Sequence, residues 1–228
     1  THAEFQNTSQ WLQDLGPAET ISVIPGHHDA YGPHFKKNME RYWSPWMLDR
    51  NGKTVGTPFC RQAGAALMIG MSSAVPTAPF MANGRVETEE LGHADEMMRD
   101  LQDEDMFKVM LIHHPPVRKI TSWRRALQNI KKIENFIGKY NIDLVLHGHL
   151  HKAMHNTLRI GNRDIPVLGT AAAGSNGTDL SPSQYFIIDI DKKPGEPEGI
   201  WDVTFKSRQY NPETKSFQDV DMPEQGID

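Results

Sequence analysis

Seven of the 11 histidines in this 228-residue chain fall in three short segments: His27-His28, His113-His114, and His147, His149 and His151. Imidazole adds little to an apolar core and needs both ring nitrogens satisfied, so packing is a poor explanation for three such groups. Each group follows an apolar or β-branched run, and open α/β sheets put their chemistry at the carboxyl ends of strands. Leu144-Val145-Leu146 is too short for a helix and reads as a buried strand after the loop-like Asn141-Ile142-Asp143. Alternate residues of an extended segment point to the same side, so His149 and His151 can reach one point while Gly148 allows a tight turn beside them. A metal ion is the natural object for two converging imidazoles. The scattered His2, His34, His93 and His155 are assigned to the surface or to supporting roles.

The elements that must position these groups follow from local pattern. Thr1-His2-Ala3-Glu4 is a capping box, and the helix behind it carries Phe5, Trp11, Leu12 and Leu15 before Gly16-Pro17 stops it. The β-branched run Thr20 to Ile24 predicts a strand closed by Pro25-Gly26, with His27-His28-Asp29 in the loop. His34 to Arg50 is an aromatic helical segment interrupted at Pro45. Phe59 to Gln62 and Ala65 to Ser72 predict two strands joined through Gly64, Ala74 to Arg85 an irregular loop, and Val86 to Asp105 a solvated acidic helix. Phe107 to Ile112 is a strong strand, stopped at His113-His114-Pro115-Pro116 because two prolines cannot continue a ladder. Ser122 reads as the cap of a helix running to Tyr140.

Beyond His151 the pattern shortens to β-rich pieces at Ala153 to Ile160, Ile165 to Gly169, Tyr185 to Asp191 and Trp201 to Ser207. Residues 153–210 are expected to extend a second sheet of the same domain, and the polar Met222 to Asp228 to fray. No repeat or linker divides the chain, so residues 1–228 read as one domain.

Composition narrows the function. The single cysteine, Cys60, excludes an internal disulfide and a cysteine zinc knuckle, and it leaves a cytoplasmic location as the default. No apolar run approaches the roughly 18 residues of a membrane span. A net charge of −5 without a basic block argues against broad nucleic-acid binding and favours small substrates. No Gly-x-Ser-x-Gly is present, which leaves a serine hydrolase unsupported.

Pro25-Gly26-His27-His28-Asp29, Leu111-Ile112-His113-His114-Pro115-Pro116 and His147-Gly148-His149-Leu150-His151 resemble, in order, spacing and strand context, the later motifs of calcineurin-like metallophosphoesterases. Those motifs are Gly-Asn-His-(Asp/Glu), a strand-terminal His and Gly-His-x-His. The resemblance covers nearly the whole chain and implies an α/β fold, a four-layer α/β/β/α sandwich with a two-metal site at the strand ends. It also implies hydrolysis of a phosphodiester or phosphomonoester by a metal-activated hydroxide. Carried over by position, the metal residues are His27, His113, His149 and His151, holding divalent Mn, Fe or Zn. The first three would share one ion and His151 would go to the other. His28 would face the leaving group, and Asp29 would help to orient the loop.

Two departures from the pattern matter. No Asp-x-His and no Gly-Asp occurs in the chain, so an N-terminal strand-helix-strand unit is expected to be missing. A sheet short of two strands exposes its edges, which predicts a homodimer or aggregation. His27 also stands where the family has Asn, exchanging an amide oxygen for an imidazole nitrogen and favouring nitrogen-preferring ions. Three readings stay open: a phosphoesterase acting on a small-molecule phosphoester, an inactive or weakly active metal-binding or regulatory module with a partial one-metal site, and a scaffold with structural histidines.

Overall fold

In the computed structural model, which describes residues 1–53, 56–101, 103–177 and 181–224, nine strands form two sheets. The last four residues of the polar tail lie outside the described residues. β1 (Phe59–Ala63) and β2 (Ala66–Met71) are an antiparallel hairpin turning at Gly64, whose φ of 58° suits glycine. β3 (Phe107–Ile112) and β4 (Leu144–His147) follow β2 in parallel, and β5 (Met154–Ile160) turns back through a hairpin to β6 (Arg163–Gly169). The sheet order is β1-β2-β3-β4-β6-β5, with β2, β3, β4 and β6 parallel. These four run in one direction, so Ser72-Ser73, His113-His114, His147-Gly148-His149 and Thr170 leave the sheet at one end.

Both faces of this sheet are covered, which is why its central strands are near-continuous apolar runs. Helices α3 (Thr88–Arg99) and α4 (Ile130–Lys139) pack Ala94, Met98, Ile133 and Ile137 on Leu67, Ile69, Met110 and Val145. On the other face Val109, Leu144 and Leu168 meet Phe186, Ile188, Val203 and Phe205 of a three-stranded antiparallel sheet. That sheet consists of β7 (Gln184–Lys192), β8 (Trp201–Asn211) and β9 (Ser216–Val220). The sequence expectation that residues 153–210 extend a second sheet therefore holds only from β7 onward. β5 and β6 complete the first sheet because Val167 and Leu168 pair with Val145 and Leu146. Among the described residues no helix is long and apolar enough to cross a membrane.

The remaining helices build a separate cluster beside the site. Thr1 caps α1 (His2–Leu15) through the expected capping box, and α2 (Phe35–Trp43) gives way to a 3₁₀ turn at Ser44–Trp46, where Pro45 interrupts it. Phe5, Leu12, Phe35, Met39 and Trp43 pack together with Phe59 and Ala74.

Two local expectations fail, each because tertiary pairing overrides propensity. Residues 122–140 do not form one helix: α4 starts at Ile130, while Arg124, Ala126 and Gln128 pair by backbone hydrogen bonds with Ala82 and Gly84. Thr20 to Ile24 does not form a strand. It is extended at Ile21 (φ −120°, ψ 135°) but has no neighbouring strand among the described residues. Val23 N–H donates to Trp46 O, and the buried Arg61 guanidinium donates to Ile21 O, Ser22 Oγ and Ala18 O. β-branching selects an extended backbone; only a partner makes it a strand. Arg61 thus holds the approach to His27. Arg61→Met keeps the apolar stem but strands two half-buried carbonyls, and it should cost about 2 kcal/mol, read as a lower urea midpoint. An unchanged midpoint would show that the segment is held by packing alone.

Candidate metal centre

The strand ends and the His27 loop bring four imidazoles together. His27, His113, His114 and His149 each present a nitrogen, and these nitrogens all lie within 4.8 Å of one another. His27 Nδ1 is 2.9 Å from His113 Nε2 and 3.2 Å from His149 Nδ1. Two imidazole nitrogens on a tetrahedral ion at about 2.05 Å would sit about 3.3 Å apart, so His27 is already near ligand spacing from both His113 and His149.

Hydrogen bonds assign the protons. A carbonyl can only accept, so His149 Nε2–H donates to Arg125 O (2.7 Å), leaving Nδ1 as a lone pair aimed at the cluster. His114 is different: Nε2–H donates to Ala82 O (3.1 Å), while Nδ1 accepts from Ser73 Oγ (2.8 Å). Both nitrogens of His114 are used, so it supports the cluster and the open donors are those of His27, His113 and His149. Without a cation, three inward nitrogens would have at most a proton or two to share among facing lone pairs. The donor set therefore fits a nitrogen-preferring divalent ion.

Burial keeps the rings neutral and ready to ligate. Loss of solvation, reinforced by neighbouring imidazoles, pushes His113 down to about 2 and His114 to about 3. Burial likewise takes His27, His147 and His149 to about 4. Close glycine contacts make room for this density. A Cβ at Gly26 would lie 2.8 Å from the His113 ring, and one at Gly84 would lie 2.1 Å from that of His114. The backbone is also strained: His149 has φ 70° and His151 φ 54°, and Leu150 N–H donates to Gly148 O (2.8 Å). That i→i+2 bond around a positive φ is a rare, costly turn. It is locked by Gly148 N–H donating to His113 O.

Of the residues expected from sequence, His27, His113 and His149 are brought together and His151 lies outside the four-imidazole group. His28 is exposed, its ring 4.2 Å from that of His27. The Asp29 carboxylate accepts from Gly26 N–H (2.7 Å), which fixes the loop, and burial raises its pKa. Sequence reasoning missed the supporting partners, namely His114, Ser73, Gly84 and the Arg125 carbonyl. Only the doubled His113-His114 signalled any of them: both follow the end of β3, where strand alternation no longer holds, and both rings join the cluster.

The structure is a mixed α/β fold with a buried four-imidazole cluster at its strand ends that could hold a metal ion. Residues 2–153 match the Calcineurin-like phosphoesterase family, and the chain belongs to that family. No curated protein matches it. Among solved structures, TT1561 of Thermus thermophilus is 13% identical with a TM-score of 0.50, over 97% of this chain and 80% of that one, a likeness of fold. GAP50, the anchor in the inner membrane complex of Plasmodium, is 10% identical over 70% of this chain and 50% of that one, with a TM-score of 0.36 too low to bear on the fold.

Two outcomes follow. The folded pKa values of the buried histidines lie below the ordinary value of 6.5, so the unfolded chain takes up protons first as pH falls. Their stabilising effect is complete above about pH 6.5 and is lost progressively as pH falls through their folded values, from about 4 for His27, His147 and His149 to about 2 for His113. The melting temperature of metal-free protein should drop between pH 7.5 and 5, and a flat profile would refute neutral burial. Separately, His151→Gly should relieve its left-handed backbone and stabilise metal-free protein by about 1 kcal/mol. Calorimetric Zn titration should retain one tight equivalent in His151→Gly and lose it in His113→Ala. Loss in both would put His151 among the ligands of that ion.

Proposed function

We propose that this chain is a metal-dependent phosphoesterase that hydrolyses a small-molecule phosphodiester or phosphomonoester. The observation that carries this reading is the convergence of His27 Nδ1, His113 Nε2 and His149 Nδ1 in a chain of this family. These three nitrogens would hold a divalent ion, with Zn or Fe preferred over Mg by the nitrogen donors. A bound ion supplies Lewis-acid polarisation of phosphoryl oxygens and activates water for attack.

The chain's own groups do the rest. All three donors are neutral, so they leave the full ionic charge available to a phosphate. Asp29, through Gly26 N–H, and Arg125, through its carbonyl, fix the rings of the loop and turn. His28, exposed beside His27, is the group free to protonate a departing oxygen.

Other parts of the reading rest on less. His151, with further ligands, would serve a second ion. The exposed Tyr185, Ile187 and Phe217 on the second sheet are the side chains an outer helical layer would cover to complete a four-layer α/β/β/α sandwich, and unpaired sheet edges favour a homodimer. A second reading, a one-metal binding or regulatory module, is favoured by a specific fact: among the described residues only one group of three or more potential ligands occurs.

Metal content measured beside hydrolysis of bis(4-nitrophenyl) phosphate with Mn, Zn or Fe separates the two. The phosphoesterase reading expects turnover, with kcat in His28→Ala falling about 10²–10⁴-fold for a phosphodiester of an alkyl alcohol, which needs a proton to depart, and much less for the 4-nitrophenyl ester, while metal content holds. One metal and no turnover would leave the module.

A further inference from the structure

A cavity of about 730 Å³ opens between the start of α1, α2 and the loop after His28, within the range of about 300–1,000 Å³ typical of small-molecule sites. We propose that this cavity receives the leaving group, and that it selects a neutral alcohol bearing a flat ring, with Tyr31 and Asn38 as specificity-determining residues. The proposal deepens the phosphoesterase reading and rests on it for the word leaving.

Position is the first support. His28 lines the cavity, and its ring lies 4.2 Å from that of His27 and 5.3 Å from that of Tyr31. The residue closest to hand for protonating a departing oxygen therefore stands between the imidazole cluster and this space. In the hydrolysis, the bond from phosphorus to the leaving oxygen breaks and a bond to the oxygen of water forms. His28 gives a proton to the departing oxygen and is restored by the proton that water loses, so what departs is a neutral alcohol.

Chemistry of the walls is the second. Phe5, Phe35 and Trp43 are buried and form an aromatic floor, while Tyr31 is 52% exposed at the lip, a setting for stacking a ring. The Asn38 side-chain amide lines the cavity half-buried and has no hydrogen-bond partner among the described residues, so it is free to pair with a polar ring edge. Charge is the third. Glu4 and Asp29 line the cavity with His2, His28 and His34, Glu4 is ion-paired with the Thr1 ammonium, and no lysine or arginine side chain lines it. The lining therefore offers no dedicated cationic side chain to hold a second phosphate or a carboxylate on the leaving side.

The test measures binding apart from turnover. Saturation-transfer NMR on metal-free protein, with adenosine and phenol as neutral ring probes and benzoate as an anionic one, should show saturable binding of the neutral probes and none of benzoate. Asn38→Ala should weaken adenosine about fivefold, the worth of one hydrogen bond, and Tyr31→Ala should weaken both neutral probes. With Mn or Zn added, both variants should raise KM for bis(4-nitrophenyl) phosphate. No saturable binding of either neutral probe, or binding indifferent to both variants, overturns the proposal whatever the turnover. Binding that responds to the variants without any turnover keeps the ring pocket and overturns the phosphoesterase reading instead.

Discussion

Three imidazole nitrogens turned toward one another in a dry place is a constraint that most of this structure serves. Left alone, facing lone pairs repel, and protonating the rings would bring positive charges together inside the protein. The chain resolves this by fixing protons on the outward nitrogens. The Arg125 carbonyl accepts one from His149 Nε2, which leaves its Nδ1 turned inward, while Ala82 O and Ser73 Oγ hold both nitrogens of the supporting His114. A site of that kind could hold a cation, and burial keeps His27, His113 and His149 neutral by holding their pKa values below the ordinary range.

Holding the rings so tightly requires a stiff frame and backbone close enough to touch them. The frame is the parallel centre of the first sheet, covered on one face by α3 and α4 and on the other by the second sheet. Its strands all end on one level, and one hydrogen bond, Gly148 N–H to His113 O, ties two of those ends together. Gly26 and Gly84 let backbone lie against rings where any side chain would collide. The strained turn at His149 is tolerated because β4 and β6 anchor it from the sheet side and the Arg125 carbonyl from the loop side.

The cluster and its surroundings divide the labour by exposure. Buried donors set the electrostatics, while His28, the next residue along the loop from His27, remains in contact with solvent. The separate cluster of α1 and α2 has a functional consequence, since its aromatic side chains form the floor of the space that His28 overlooks. One loop, from Gly26 to Tyr31, thus belongs to the imidazole cluster on one side and to a cavity on the other.

Much of this was legible in sequence wherever the deciding physics is local. Phe107 to Ile112 and Leu144 to Leu146 read as buried strands because parallel central strands are apolar throughout, and histidines after them had to fall at strand ends. Thr1 and Glu4 announced α1 through a capping box closed within four residues. What sequence could not decide were pairings between distant segments. Thr20 to Ile24 had the composition of a strand and lacked a neighbour; residues 124–128 had helical spacing and were drawn into pairing with Gly84. His151 shared the alternation that recommended His149, but both take positive φ rather than extended geometry, and His151 falls outside the four-imidazole group. Residue types and strand ends determined that imidazoles would gather at one end of the sheet, in a cluster that could hold a metal ion; which nitrogens meet was decided by backbone turns and carbonyls contributed from elsewhere in the chain.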